Sequence, residues 1–189
     1  RQRQMCIRDR NDICHEMSTC FADLLSDRQV TFIPGDAEQL SFPSGQDLIV
    51  SCSALQWFVS PEQFFKRCNA LLSGHGYFAF STFGKENLKE IAAVTGSGLH
   101  YYSLEELKKS LSMHYNIVTA GEERIRLTFA TPLDVLYHLK HTGVTAVCRQ
   151  AWTKGDLQEF CDKYAKLFSC GNAVTLTYHP LYIIARKKP

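Results

Sequence analysis

Short apolar runs alternate with helix-period stripes along most of this chain. Residues 30–33, 48–51 and 77–83 read as strands, because each is short, rich in β-branched or aromatic residues, and bounded by polar or turn residues. Residues 11–17 read as the end of a strand passing into a helix, with Phe21, Leu24 and Leu25 on its inner face. Pro61 opens a helix whose stripe is Phe64, Phe65, Cys68, Leu71 and Leu72, and Gly74-His75-Gly76 is read as its end. The order so far is β-α-β-β-α-β, which predicts an α/β fold with a parallel, doubly wound sheet and helices on both faces.

Further along, residues 86–95 read as a short helix, and Ser103 with Glu106 forms a capping box that opens another, with Leu104, Leu107 and Leu111 inside. Residues 116–129 end in a strand with one polar face, since Ile125, Leu127 and Phe129 alternate with Arg124, Arg126 and Thr128. Thr131-Pro132 caps a helix carrying Leu133, Leu136 and Leu139, stopped by Gly143. Thr153 and Asp156 cap another, with Leu157, Phe160, Cys161, Tyr164, Leu167 and Phe168 in period and Gly171 as its stop. Residues 173–185 read as one long final strand, with Pro180 placing a break at an edge or bulge.

The stretch DLIVSCSALQWF, residues 47–58, organises the rest. Its apolar strand suits a buried parallel strand, and small residues follow it in the loop Ser51-Cys52-Ser53-Ala54. Ligands of open α/β sheets sit beyond the carboxyl ends of such strands. Small residues there let a ligand approach the backbone, while Gln56 and Trp57 offer an amide and a stacking face. A βα loop capped by a core tryptophan accounts for the same residues.

Length and charge narrow the choice. A chain of 189 residues suits one domain with a sizeable core. Its 21 basic and 19 acidic residues give +2, but four arginines and one aspartate lie in the first ten, which leaves the remainder at −1. That balance argues against a nucleic-acid partner. No apolar run approaches the ~18 residues of a membrane span, and the polar, basic start has no signal-peptide core. The eight cysteines lack C-x-x-C spacing, so they read as reduced thiols of a cytoplasmic protein rather than as disulfides or metal ligands. Residues 1–10, RQRQMCIRDR, have no apolar period and are set aside as a non-native head; residues 11–189 are taken as the domain.

Taken together, NDICHEM, PGDAEQLSFP, DLIVSCSALQWF, GYFAFSTFGKENLKEI, LKHTGVTAV and LTYHPLYIIARK resemble a class I S-adenosylmethionine-dependent methyltransferase. The resemblance is closer to one branch, the malonyl-acyl-carrier-protein O-methyltransferases of biotin synthesis. It implies a Rossmann-like sheet, S-adenosylmethionine as cofactor, and methyl transfer to the free carboxylate of a malonyl group on acyl carrier protein. It implies that Asp12 holds the cofactor's ribose hydroxyls, that Asp36 with the Ala37 backbone meets the adenine, and that Ser51, Cys52 and Ser53 flank its methionine part. Asp12 and Asp36 also suit plain turn or N-cap acids, and Cys52 a small packing residue. Gln56 and Trp57 then lie towards the acceptor.

Selecting a carboxylate requires a cation or donors. Candidates are Arg126, Lys140, His141, Arg149 and His179, the last equally readable as a satisfied core histidine. The helices at 86–111 and 131–169 are candidates for an acceptor lid. Lys85 with Lys89, or Lys108 with Lys109, are candidates for docking an acidic carrier protein. The family's first strand and its G-x-G-x-G loop are absent from the pattern, so this chain by itself is expected to bind the cofactor poorly and to expose an apolar strand edge. Other readings are a methyltransferase for another small molecule such as a quinone or sterol, and a non-catalytic methyltransferase-like binding module. A dinucleotide oxidoreductase fits less well, because G-x-G-x-x-G does not occur.

Overall fold

The computed structural model describes residues 8–20, 22–144 and 152–189. The chain divides into two compact units, residues 1–44 and 45–189. In the first, β1 (Arg8–Asp12) and β2 (Val30–Pro34) pair in parallel, with Asp12 opposite Pro34. Two short helices, α1 (Met17–Cys20) and α2 (Ala22–Leu25), make the crossover. β1 thus begins at Arg8, inside the basic head that was left out of the sequence-based fold. The Asn11 amide donates to the carbonyls of Ile33 and Gly35, at 2.8 and 2.9 Å, and ties the ends of the two strands.

The second unit holds two sheets. The larger has the order β3-β4-β9-β5, from β3 (Gln46–Cys52), β4 (Leu72–Phe83), β5 (Tyr115–Glu122) and β9 (Pro180–Lys187). β3 and β4 are parallel, joined through α3 (Pro61–Leu71), and β9 lies antiparallel between β4 and β5. α4 (Lys89–Thr95) and α5 (Leu104–Leu111) follow β4. The smaller sheet is antiparallel, in the order β6-β8-β7, from β6 (Ile125–Phe129), β7 (Ser169–Cys170) and β8 (Ala173–Tyr178). α6 (Pro132–His141) and α7 (Lys154–Phe168) connect β6 to β7.

Three capping boxes start α5, α6 and α7, at Ser103/Glu106, Thr131/Asp134 and Thr153/Asp156. Each satisfies backbone N–H groups that the helix leaves without a partner. One core is aromatic: Phe65, Phe78, Phe80 and Tyr115 pack ring against ring with centroids 5.0–5.9 Å apart. The Tyr115 hydroxyl donates to the Phe65 carbonyl at 2.8 Å. Burial pushes the Cys68 thiol beside them up to about 12. The other core gathers Leu88, Ile91, Val135, Leu139, Phe160, Tyr164, Val174 and Leu176 between α4, α6, α7 and the smaller sheet.

Several sequence expectations change. Leu72 starts β4 rather than ending α3, and the Gly74–Gly76 stretch lies within that strand. Residues 115–129 form two strands in different sheets, and so does the stretch expected as one final strand, because the backbone leaves one ladder and joins another at His179. Leu133 and Leu167 face solvent, while Val135 fills the core place. Gly171, with φ of 62°, turns the β7–β8 hairpin after α7 has already ended at Phe168. The run at 48–50 is not buried. β3 is an outer strand of its sheet, and Leu48 and Val50 are exposed, the latter at 58%. Register places them on one face with Tyr77, Ile184 and Tyr182, which are exposed as well.

The two faces of the larger sheet should therefore respond differently to substitution. Phe78→Ala, on the packed face, is expected to destabilise the unit by about 3–5 kcal/mol. Val50→Thr, on the open face, is expected to change stability by less than about 0.5 kcal/mol. Urea unfolding of both variants checks the contrast; equal losses would show that the exposed face is covered.

Candidate functional site

The parallel strands of each unit end in loops with polar groups. In the first unit, Asp12 closes β1 and Asp36 follows β2. The Asp12 Oδ1 accepts the Cys14 N–H at 2.8 Å, and the Asp12 carbonyl accepts the Gly35 N–H at 2.8 Å. The Asp36 Oδ1 accepts the Glu38 N–H at 2.8 Å, and Oδ2 accepts the Gln39 amide at 2.9 Å. Both acids therefore brace turns, and both stand at the carboxyl end of the parallel pair, where the register puts Asp12 beside the loop containing Gly35, Asp36 and Ala37.

In the second unit, Ser51 and Cys52 finish β3, and Ser53 takes φ of 50°. A left-handed serine is uncommon and stores strain. It is held from both sides. Its N–H donates to the Ser81 carbonyl at 3.0 Å, and its carbonyl accepts the Gln56 Nε2–H at 2.5 Å. Gln56 sits in a single 3₁₀ turn, Leu55–Trp57, and its Oε1 accepts the hydroxyl of buried Thr82 at 3.2 Å. Trp57 is half exposed. The small side chains of residues 51–54 leave the strand end open to a ligand, which suits a cofactor lying against backbone.

Gln56 also lines a pocket with Leu55, Pro61, Thr82, Phe83, His100, Tyr101, Tyr102 and Leu107. The segment His100-Tyr101-Tyr102 was not singled out by the sequence, since it belongs to no periodic element. A cluster of three ring residues directly before the Ser103 cap was its one visible signal. The Tyr101 hydroxyl accepts the Asn87 amide at 3.1 Å, and His100 packs edge-on against Tyr102. The 86–111 segment thus supplies one wall of this pocket, while α6 and α7 pack around the smaller sheet.

Among the described carboxylate-binding candidates, none lines that pocket. His179 is buried, at 3% exposure, and both ring nitrogens are engaged. Nδ1 accepts the Glu86 N–H at 3.1 Å and Nε2 meets Glu122 at 3.2 Å, so Nε2 carries the proton. This is the satisfied core histidine of the two readings, placed where the chain changes sheets. Arg126 is exposed on β6, and Lys140 and His141 are exposed at the end of α6. Arg149 lies outside the described residues. Of the docking lysines, Lys85, Lys89 and Lys108 are paired with Glu106, Glu86 and Glu105 at 2.7, 2.9 and 2.9 Å. Among the described residues no group of His, Cys, Asp or Glu is placed to hold a metal ion, and no helix is long and apolar enough to cross a membrane.

Around His179 the charges are coupled. Arg124 donates to Glu86 at 2.5 Å and to Glu122 at 3.0 Å. Arg124, and then Lys89, hold the Glu86 carboxyl down at about 2, and Arg124 likewise lowers Glu122. A carboxyl lowered in the folded state adds stability above its ordinary value of 4.5 and loses that contribution as pH falls toward about 2.

Residues 9–80 match the family model of a methyltransferase domain. A methyltransferase structure from Bacillus halodurans shares the fold, with a TM-score of 0.67 at 16% identity over 96% of this chain and 84% of that one. The N-methyltransferase NodS of Bradyrhizobium japonicum, solved with S-adenosyl-L-homocysteine, does so at 0.52 and 12%, over 96% and 66%. The fold is that of a class I methyltransferase. A malonyl-[acyl-carrier protein] O-methyltransferase of Bacteroides thetaiotaomicron is 56% identical over 188 residues, which cover 94% of this chain and 72% of that relative. The chain belongs to the malonyl-[acyl-carrier protein] O-methyltransferase family. Other relatives of that name are 38–56% identical, and the chain spans 36–70% of their lengths.

Arg124→Gln removes the larger of the two influences on Glu86. Its carboxyl is expected to rise from about 2 toward 4.5, with Lys89 still holding it part of the way. A side-chain carboxyl titration by NMR checks this; an unmoved Glu86 would assign the shift to Lys89 alone.

Proposed function

We propose that this chain is the methyl-transferring part of an enzyme that esterifies the free carboxylate of a malonyl thioester on acyl carrier protein. The observation that carries the proposal is the 56% identity, over 94% of the chain, to a relative of that name. S-adenosylmethionine is the methyl donor in this reading, and when bound it supplies a methyl group on a positively charged sulfur. A carboxylate oxygen forms the new C–O bond as the S–C bond breaks, and the electron pair leaves with sulfur. S-adenosylhomocysteine and the methyl ester are the products.

The chain's own work is placement. A carboxylate is ionised at pH 7, so no residue has to remove a proton from it. Holding two reactants in line supplies several kcal/mol of barrier reduction. In the second unit, the family resemblance assigns residues 51–53 to the methionine part of the donor, and their open, small-residue strand end suits a ligand lying against backbone. In the first unit, Asp12 is assigned to the ribose hydroxyls and Asp36 with Ala37 to the adenine. A carboxylate accepts from two adjacent hydroxyls at once. The pocket of Gln56, His100, Tyr101 and Tyr102 is assigned to the acceptor, with Trp57 at its approach. It is lined by rings, an amide and hydroxyls, and at about 10 Å³ it has room for one water molecule, so an acyl group has to widen it. For the carboxylate itself, Arg126, Lys140 and Arg149 remain the proposed cations; geometry does not favour Arg126 over Lys140, and Arg149 lies outside the described residues. Removing the carboxylate's charge lets the acyl chain proceed as an ordinary fatty-acyl intermediate, and the family resemblance assigns the reaction to biotin synthesis.

The test uses the whole protein encoded by the open reading frame that contains this chain. It is supplied with S-adenosylmethionine labelled in the methyl group. Label is expected on malonyl-acyl carrier protein as a base-labile ester, and none on the acetyl form, which lacks a free carboxylate. Transfer to a quinone or sterol instead would support another small-molecule methyltransferase. A folded protein that binds no S-adenosylmethionine would support a non-catalytic module.

A further inference from the structure

We propose that Gln56 is a positioning residue that clamps Ser53 in its left-handed conformation and so shapes the loop that meets the methyl donor. The inference rests on the assignment of residues 51–53 to that donor. It moves Gln56 from an acceptor contact to a brace that links the two halves of the reaction.

The argument starts from strain. Among the described residues only Ser53 and Leu88 have positive φ without being glycine. Leu88 opens a helix whose core it joins, so packing accounts for it. Ser53 is exposed and has no such packing. Three hydrogen bonds hold its conformation: Ser81 takes its N–H, at the carbonyl and at Oγ, and Gln56 donates to its carbonyl.

Only an amide suits position 56. Nε2 must donate to the Ser53 carbonyl while Oε1 accepts from Thr82. A glutamate lacks the donor, and a leucine lacks both groups. Thr82 is 4% exposed and sits on β4 next to Ser81, whose partner across the ladder is Cys52. One short piece of β4 therefore holds the loop twice, through the Ser81 backbone and through Thr82 by way of Gln56. The amide also lines the pocket assigned to the acceptor, so the two reactants' surfaces share one side chain.

Glycine adopts positive φ freely and needs no clamp. That makes the proposal testable by a double-mutant cycle in the whole protein. S-adenosylmethionine affinity is measured by titration calorimetry for Gln56→Leu, Ser53→Gly and the pair. KM values for donor and malonyl-acyl carrier protein are measured alongside. Gln56→Leu is expected to weaken donor binding about tenfold. In the Ser53→Gly background the same change is expected to cost less than about threefold. Thr82→Val, which removes only the hydroxyl that orients the amide, is expected to weaken donor binding in the same direction by less.

Equal costs of Gln56→Leu in both backgrounds would overturn the clamp. So would a rise in acceptor KM with donor affinity unchanged, which would return Gln56 to the acceptor. Failure of the unaltered protein to bind the donor would be a different result. It would overturn the assignment of function and, with it, the role given to this loop.

Discussion

The second unit depends on what happens at His179. There the chain leaves the smaller sheet and enters the larger one, and a buried polar ring must have both nitrogens satisfied. Glu86 N–H and the Glu122 carboxylate satisfy them. The backbone does the same around it: Gly84 N–H donates to the His179 carbonyl, and the His179 N–H donates to Asn87. Gly84 can only be glycine here, because a Cβ would lie 2.6 Å from the imidazole. Thr177, two residues before His179, donates both its N–H and its hydroxyl to buried Glu90. The segment after β4 is thus stitched to the end of β8, and the two sheets share one seam.

That seam also positions the loop after β3 and the pocket beside it. β4 runs from the aromatic core up to the seam, and on its way Ser81 and Thr82 hold the loop after β3. The segment that follows α4 returns with His100, Tyr101 and Tyr102 to face Gln56. A methyl transfer to an ionised carboxylate asks little of acid–base groups and much of position. Several of the polar groups found here fit that demand, since they are already engaged within the protein. Tyr101 and Gln56 are pinned by Asn87 and Thr82 before any ligand arrives.

Charge is arranged with the same economy. Lysines that look available in sequence are neutralised by acids three residues or one helix away, as Lys85 is by Glu106. Glu106 belongs to the Ser103 capping box as well, so one carboxylate both starts α5 and holds a lysine, which keeps it at about 2. Exposed pairs of this kind add little stability. They do determine which positive charges remain for a partner, and spacing along the chain does not reveal that.

Local features were legible from residues alone. The capping boxes at Ser103 and Thr153 and the Thr131-Pro132 cap are specified within four residues, and the helices start where those residues say. The strand at 48–51, the loop of small residues after it and the acids after β1 and β2 were equally plain, because strand periodicity and turn chemistry are short-range. Strand periodicity alone did not place β3 at the edge of its sheet, since burial of an apolar run depends on which strand lies beside it; the exposed apolar strand edge was expected from the family pattern instead. Pro180 marked a break in the final stretch and a core histidine was one reading of His179, but the change of sheet and the partners of His179 were not visible. A single residue looks the same whether the ladder continues or changes partner, and only distant segments, Glu86 and Glu122 among them, decide the difference. The pocket wall at 100–102 escaped for the same reason: an irregular segment carries no period, and its role comes wholly from the strand it is folded against.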